Sequence, residues 1–150
     1  MLRDEVASYL AVLSPAVRPV EAWGEIAYFY NREDRLPRGV YFATLKSKDG
    51  DNDRASRLDR SGVYRLNVGI GKAGYRSLFG APPARPVAGG VVETGHDFTT
   101  LDVLLPQPVY AWMCWICVLT PSSATFDTIK PLLDDAHQIA ALKFEKRIKS

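Results

Sequence analysis

Apolar residues at spacings of three and four open the chain, with Leu2, Val6, Tyr9, Leu10 and Leu13 on one helical face. The spacing predicts a helix over residues 2–13. Ser14-Pro15 ends it, because the residue before a proline is pushed out of helical geometry. The pattern then turns strand-like. Trp23 to Tyr30 is aromatic and stops at the polar turn Asn31-Arg32-Glu33-Asp34; Gly39 to Leu45 and Val63 to Ile70 are the next two strands. Lys46 to Ser61, between those two, is almost wholly polar and reads as a long exposed connection. Lys72 to Phe79 makes a short helix closed by Gly80, and Ala81 to Gly95 is a loop rich in proline and glycine. Val109 to Leu119 is apolar at successive positions, as in a central strand covered on both sides. Pro121-Ser122-Ser123 leads into a long helix to about Ile148, whose Phe126, Ile129, Leu132, Leu133, Ala136, Ile139, Ala140 and Phe144 form one stripe.

The predicted order is therefore α-β-β-β-α-β(β)-α. Antiparallel strands with helices packed on one side form a two-layer α+β sandwich. At 150 residues, with no linker-like stretch, the chain reads as a single domain over residues 1–150. A hydrophobic fraction of 47%, with 11% aromatic residues, supplies a core that needs neither disulfides nor metals.

Charge narrows the partners only a little. Nineteen basic against seventeen acidic residues leave a net +2, far from the excess typical of dedicated nucleic-acid binders. Lys143, Lys146, Arg147 and Lys149 suit a solvated helix end, where the macrodipole favours cations. Arg3, Asp4 and Glu5 stand where a signal peptide would be apolar, and Val109–Leu119 is too short to span a bilayer. With two cysteines, this points to reduced thiols, a cytoplasmic location and no membrane partner.

Four segments resemble chemical motifs, and each fails a physical requirement. Gly69-Ile70-Gly71-Lys72-Ala73-Gly74 spells a dinucleotide-binding turn, but a loop stands where its second parallel strand should be. Asp49, Asp51 and Asp53 begin a calcium loop that would then need Arg54 and Arg60 at its glycine and glutamate positions. Cys114-Trp115-Ile116-Cys117 has redox spacing, yet residues three apart on a strand point to opposite faces. Those cysteines with His96 and His137 lack the short paired spacing of zinc ligands. His96-Asp97 joins a histidine to a carboxylate without a flagged nucleophile. No catalytic residue, metal or cofactor is expected. A subtler feature is the third strand, where Tyr64, Leu66, Val68 and Ile70 share one face and Arg65 and Asn67 project from the other. Tyr110, Trp112 and Cys114 share a face of the predicted central strand. If the strands are neighbours, these residues line a surface for an anionic or planar ligand, or for a second protein chain.

Several segments also carry a family resemblance. They are Gly39-Val40-Tyr41-Phe42-Ala43-Thr44, Ser56-Arg57-Leu58-Asp59-Arg60, Arg65-Leu66-Asn67-Val68-Gly69-Ile70, Gly95-His96-Asp97-Phe98 and Pro108-Val109-Tyr110-Ala111-Trp112. Over roughly residues 23–145 the chain resembles a bacterial family of domains of unknown function within the wider group called MmcQ/YjbR-like. The resemblance implies a fold similar to YjbR-like and type III secretion chaperone-like domains, one antiparallel sheet with helices on one side. The wider group's label of predicted DNA binding does not fix a function, and no catalytic residues carry over.

The expectation for function is a non-catalytic binding module for nucleic acid or a protein partner, with Arg65, Asn67, His96, Tyr110 and Trp112 as its binding residues. A homodimer formed through the sheet's uncovered face is the second reading. An enzyme built on His96 is the third.

Overall fold

The computed structural model describes residues 1–150. The nine helices and strands are α1 (Arg3–Ala11), β1 (Val17–Ala22), β2 (Glu25–Tyr30), β3 (Val40–Lys46), β4 (Arg65–Gly69), α2 (Gly71–Phe79), β5 (Leu104–Pro106), β6 (Trp115–Leu119) and α3 (Ser123–Ile148). The strands form one antiparallel sheet in the order β1-β2-β3-β4-β6-β5. Helix α3 packs over β2, β3 and β4, α1 over β1, and α2 against α3 and β6. The helices sit mostly on one side, so the fold is α+β as the patterning predicts.

The core lies between that sheet face and the helices. From α3 it takes Phe126, Ile129, Leu133, Ala136, Ala140 and Phe144, six of the eight stripe residues, while Leu132 and Ile139 pack at its margin. From the sheet it takes Ile26, Tyr28, Ala43, Leu45, Leu66, Val68, Ile116 and Val118. Ser122 caps α3, its hydroxyl accepting from the Thr125 N–H at 3.2 Å, which satisfies one orphan donor of the first turn.

Three expectations are corrected. Strand β1 is absent from the predicted order. Its Pro19 and its weak alternation hide it, and it survives because it is an edge strand, where a missing N–H is tolerated. The predicted strand Val109–Leu119 is regular only from Trp115. Before that, the Gln107 side-chain carbonyl accepts from the N–H groups of Val109 (2.6 Å) and Tyr110 (2.7 Å) and curls the chain into a 3₁₀ turn, Ala111–Met113. Cys114 then takes a left-handed φ of 65°, so Tyr110, Trp112 and Cys114 share no strand face. The Lys46–Ser61 connection, finally, is not wholly exposed: Ser56 is fully buried and Leu58 nearly so.

One core contact responds to pH. His137 on α3 bonds through Nε2 to the Ser14 hydroxyl at 2.7 Å and lies edge-on to Tyr30 and Phe42. Burial lowers its pKa below the ordinary 6.5, with Asp134 opposing. The folded chain therefore takes up this proton only at lower pH than the unfolded chain. The contact's stabilisation is complete above about pH 6.5 and declines as the pH falls toward the folded-state value. Urea midpoints measured from pH 7.5 to 5 are expected to fall more steeply for the wild type than for His137→Gln.

Candidate functional site

The sheet face away from the helices carries side chains in three rows. Cross-strand pairing aligns Glu25, Lys46, Arg65 and Leu119 in the first, and Ala27, Thr44, Asn67 and Cys117 in the second. The third holds Phe29 opposite Tyr41 and Gly69 opposite Trp115. The face thus grades from charged through polar to aromatic.

A β-bulge between β2 and β3 makes this possible. Tyr28 pairs with Ala43 but Phe29 pairs with Tyr41, so Phe42 is the extra residue. Phe42 and Ala43 both turn into the core, and the alternation resumes with Thr44 outward. At Gly69 a Cβ would stand 2.7 Å from the indole of Trp115. Its absence lets Trp115 lie across β4 and reach Tyr41, the ring centroids 5.3 Å apart. Phe29 continues the row at 5.9 Å from Tyr41.

Arg65 anchors the polar side. Its residue is 1% exposed, and a buried guanidinium demands partners for its charge and its donors. Asp53 supplies both carboxylate oxygens in a forked pair, Ser56 Oγ accepts at 2.9 Å and Asn67 Oδ1 at 2.8 Å. Burial alone lowers the guanidinium pKa; hydrogen bonding and attraction from Asp53 outweigh it and leave it above its ordinary value. Asn67 donates to Thr44 Oγ1 at 2.9 Å and accepts from Gln107 at 3.3 Å. No buried side-chain nitrogen or oxygen lacks a partner.

The connection between β3 and β4 covers part of this face. Leu58 joins Leu105, Cys117 and Leu119 in a small apolar cluster, with Val63 at its edge. Burial pushes the Cys117 thiol up to about 12, so it stays protonated beside Arg65. The uncovered part is a cavity of about 240 Å³. Thr44, Asn67 and the small side chain of Ala27 form its floor, Asp53 with Arg65 and Gln107 its flanks, and the aromatic row its far wall. Glu25 and Tyr110 stand at the rim. Arg65 is matched by Asp53, and Lys46 by Glu25 at 3.5 Å, so these four groups carry no net charge.

Of the expected binding residues, Arg65, Asn67 and Tyr110 come together here. Trp112 does not line the cavity: its indole N–H donates to the Val109 carbonyl at 2.9 Å and its ring lies under Arg85. The tryptophan in the site is Trp115. His96 is exposed on a loop, bonded to Thr94 and edge-on to Phe79. Asp97 serves Thr99 rather than His96, so no His–Asp pair forms. The three aspartates of the apparent calcium loop diverge: Asp49 caps the Leu58 N–H, Asp51 faces Arg54 and Asp53 holds Arg65. The glycines of Gly69–Gly74 serve close packing, Gly69 against Trp115, Gly71 against Ile139 and Gly74 against Ile70.

Removing Arg65 leaves Asp53 and Asn67 without their main partner. Arg65→Ala is therefore expected to cost about 3 kcal/mol of stability in urea denaturation, as for other half-broken buried pairs.

Residues 1–149 match the model of one protein family, described as a family of unknown function (DUF6194). That match does not extend to the MmcQ/YjbR-like grouping. No curated protein and no solved structure matches the chain. No helix is long and apolar enough to cross a membrane.

Proposed function

We propose that this chain, which belongs to the family of unknown function DUF6194, is a binding module that takes a small ligand into the cavity on the sheet's uncovered face. One observation carries the reading: a concave site with an aromatic wall and a few converging polar groups held rigid by buried hydrogen bonds. Its volume lies just below the range of about 300–1,000 Å³ usual for ligand pockets, which favours a small molecule over a polymer segment. Two free, buried cysteines accord with a cytoplasmic location.

A nucleic-acid partner has less support. Arg65 is buried and ion-paired, Arg60 is spent on the carbonyls of Ser56, Arg57 and Thr99, and Arg54 bonds Gly50 and faces Asp51. Only Arg65 is withdrawn from solvent, and the exposed Arg54, Arg57 and Arg60 stand among Asp49, Asp51 and Asp59 of the same connection, which offset their charge toward phosphates.

Self-association is the second reading, favoured by Tyr41, Tyr110 and Met113, each about half exposed on this side of the molecule. A strictly monomeric mass by size-exclusion chromatography with light scattering at 100 µM removes it.

The ligand reading is tested by filling the cavity. Ala27→Leu puts a larger side chain on the floor and leaves every hydrogen bond of the polar cluster in place. Its stability is expected to stay within about 0.5 kcal/mol of the wild type. A small-molecule library screened by thermal shift should give hits for the wild type that Ala27→Leu loses. Hits that persist in Ala27→Leu place binding elsewhere.

A further inference from the structure

We infer that the ligand of this cavity is a neutral planar nitrogen heterocycle with a ring carbonyl beside a ring N–H, the lactam edge of a nucleobase. The inference rests on the ligand-binding reading above and adds the chemical class.

Charge comes first. The Arg65 fork is filled by both oxygens of Asp53, and Lys46 faces Glu25. A carboxylate or phosphate would have to displace Asp53 from a guanidinium that is 1% exposed, and it would meet the carboxylates of Asp53 and Glu25 at the cavity wall. The site offers no unmatched positive charge, so the anionic alternative raised by the sequence loses its basis.

Donors and acceptors come next. A threonine hydroxyl has one proton to give, and an amide nitrogen has two. Thr44 Oγ1 accepts from Asn67 and donates to no side chain or backbone group. Asn67 Nδ2 spends one proton on Thr44, and Gln107 Nε2 spends one on Asn67. Three protons therefore remain on groups lining the cavity, so a ligand must bring acceptors to the floor. On the flank and rim the order reverses, because the ionised carboxylates of Asp53 and Glu25 only accept. A ligand that accepts on one part of its edge and donates on the next satisfies both. A hydrocarbon ring would desolvate all of these groups and replace none of their bonds with water.

Shape selects a flat molecule. Phe29, Tyr41 and Trp115 line one wall as rings tilted 59° and 34° from one to the next, and a planar π-system packs on one ring face with the edge of its neighbour beside it. At about 240 Å³ the cavity has room for a molecule of one or two rings. Such an edge is presented equally by a free heterocycle and by an unpaired base on a single strand.

Isothermal titration calorimetry at pH 7 with uracil and hypoxanthine tests this, with benzoate, inorganic phosphate and indole as the contrasting probes. Expected is submillimolar binding of a lactam, weakened at least tenfold by Ala27→Leu and by Asn67→Asp, which keeps the acceptor for Arg65 but removes the amide donors. Benzoate, phosphate or indole binding in place of the lactams overturns the assigned class. If neither lactam binds while library hits are still lost in Ala27→Leu, the class falls and the pocket reading stands. If neither lactams nor library compounds bind, both fall. An eight-residue oligouridylate that binds tighter than uracil identifies the strand-borne base as the source; equal or weaker binding identifies the free heterocycle.

Discussion

A guanidinium cannot be buried alone, and the placement of Arg65 in the middle of a sheet governs much of what surrounds it. Its own strand supplies Asn67, two residues on, and no more. The negative charge has to come from elsewhere, and it comes from Asp53, twelve residues earlier, with Ser56 completing the set. The connection between β3 and β4 is thereby drawn down onto the sheet, which brings Leu58 onto Leu105, Cys117 and Leu119. A polar segment that looks idle in one dimension thus becomes a cover for part of the face away from the helices. The part it leaves open holds the cavity.

The two faces of the sheet obey different economies of contact. Toward the helices the side chains are apolar and close-packed, and substitution there is felt mainly as volume. On the other face the same backbone alternation yields a short gradient from ion pairs through amides and a hydroxyl to aromatic rings. Because each buried polar atom is held by at least one other, the floor of the cavity is preorganised, and a ligand finds its partners already in position.

How much of this was legible in one dimension depended on whether the informative partners were local. Period-two alternation placed Arg65 and Asn67 opposite Leu66 and Val68, and the period of α3 gave its buried stripe with His137 beside it. That Trp112 stands apart from the cavity is not legible, because the run Val109–Leu119 looks like unbroken strand and the turn within it is made by the side chain of Gln107, two residues before the run. Asp53 could not be read as the partner of Arg65 from spacing, since sequence pattern does not say which loop carboxylate folds back. Thr44 and Tyr41 were hidden by the bulge at Phe42, after which inward and outward positions exchange parity. Strand β1, with its Pro19, lacks the alternation by which its neighbours are recognised.

That change of parity makes Phe42 a one-residue spacer between two otherwise independent reading frames along β3. Upstream of it Tyr41 belongs to the aromatic wall; downstream, Thr44 and Lys46 belong to the polar floor and the charged row. Regular pairing through this position, with no residue left over, would instead set Tyr41 and Thr44, three apart in the chain, on opposite faces of the sheet. Ring and hydroxyl could then no longer look into the same hollow. Deleting Phe42 would set the two residues two apart on a regular strand, still on one face, so spacing and bulge together, and not the spacing alone, mark a shared site.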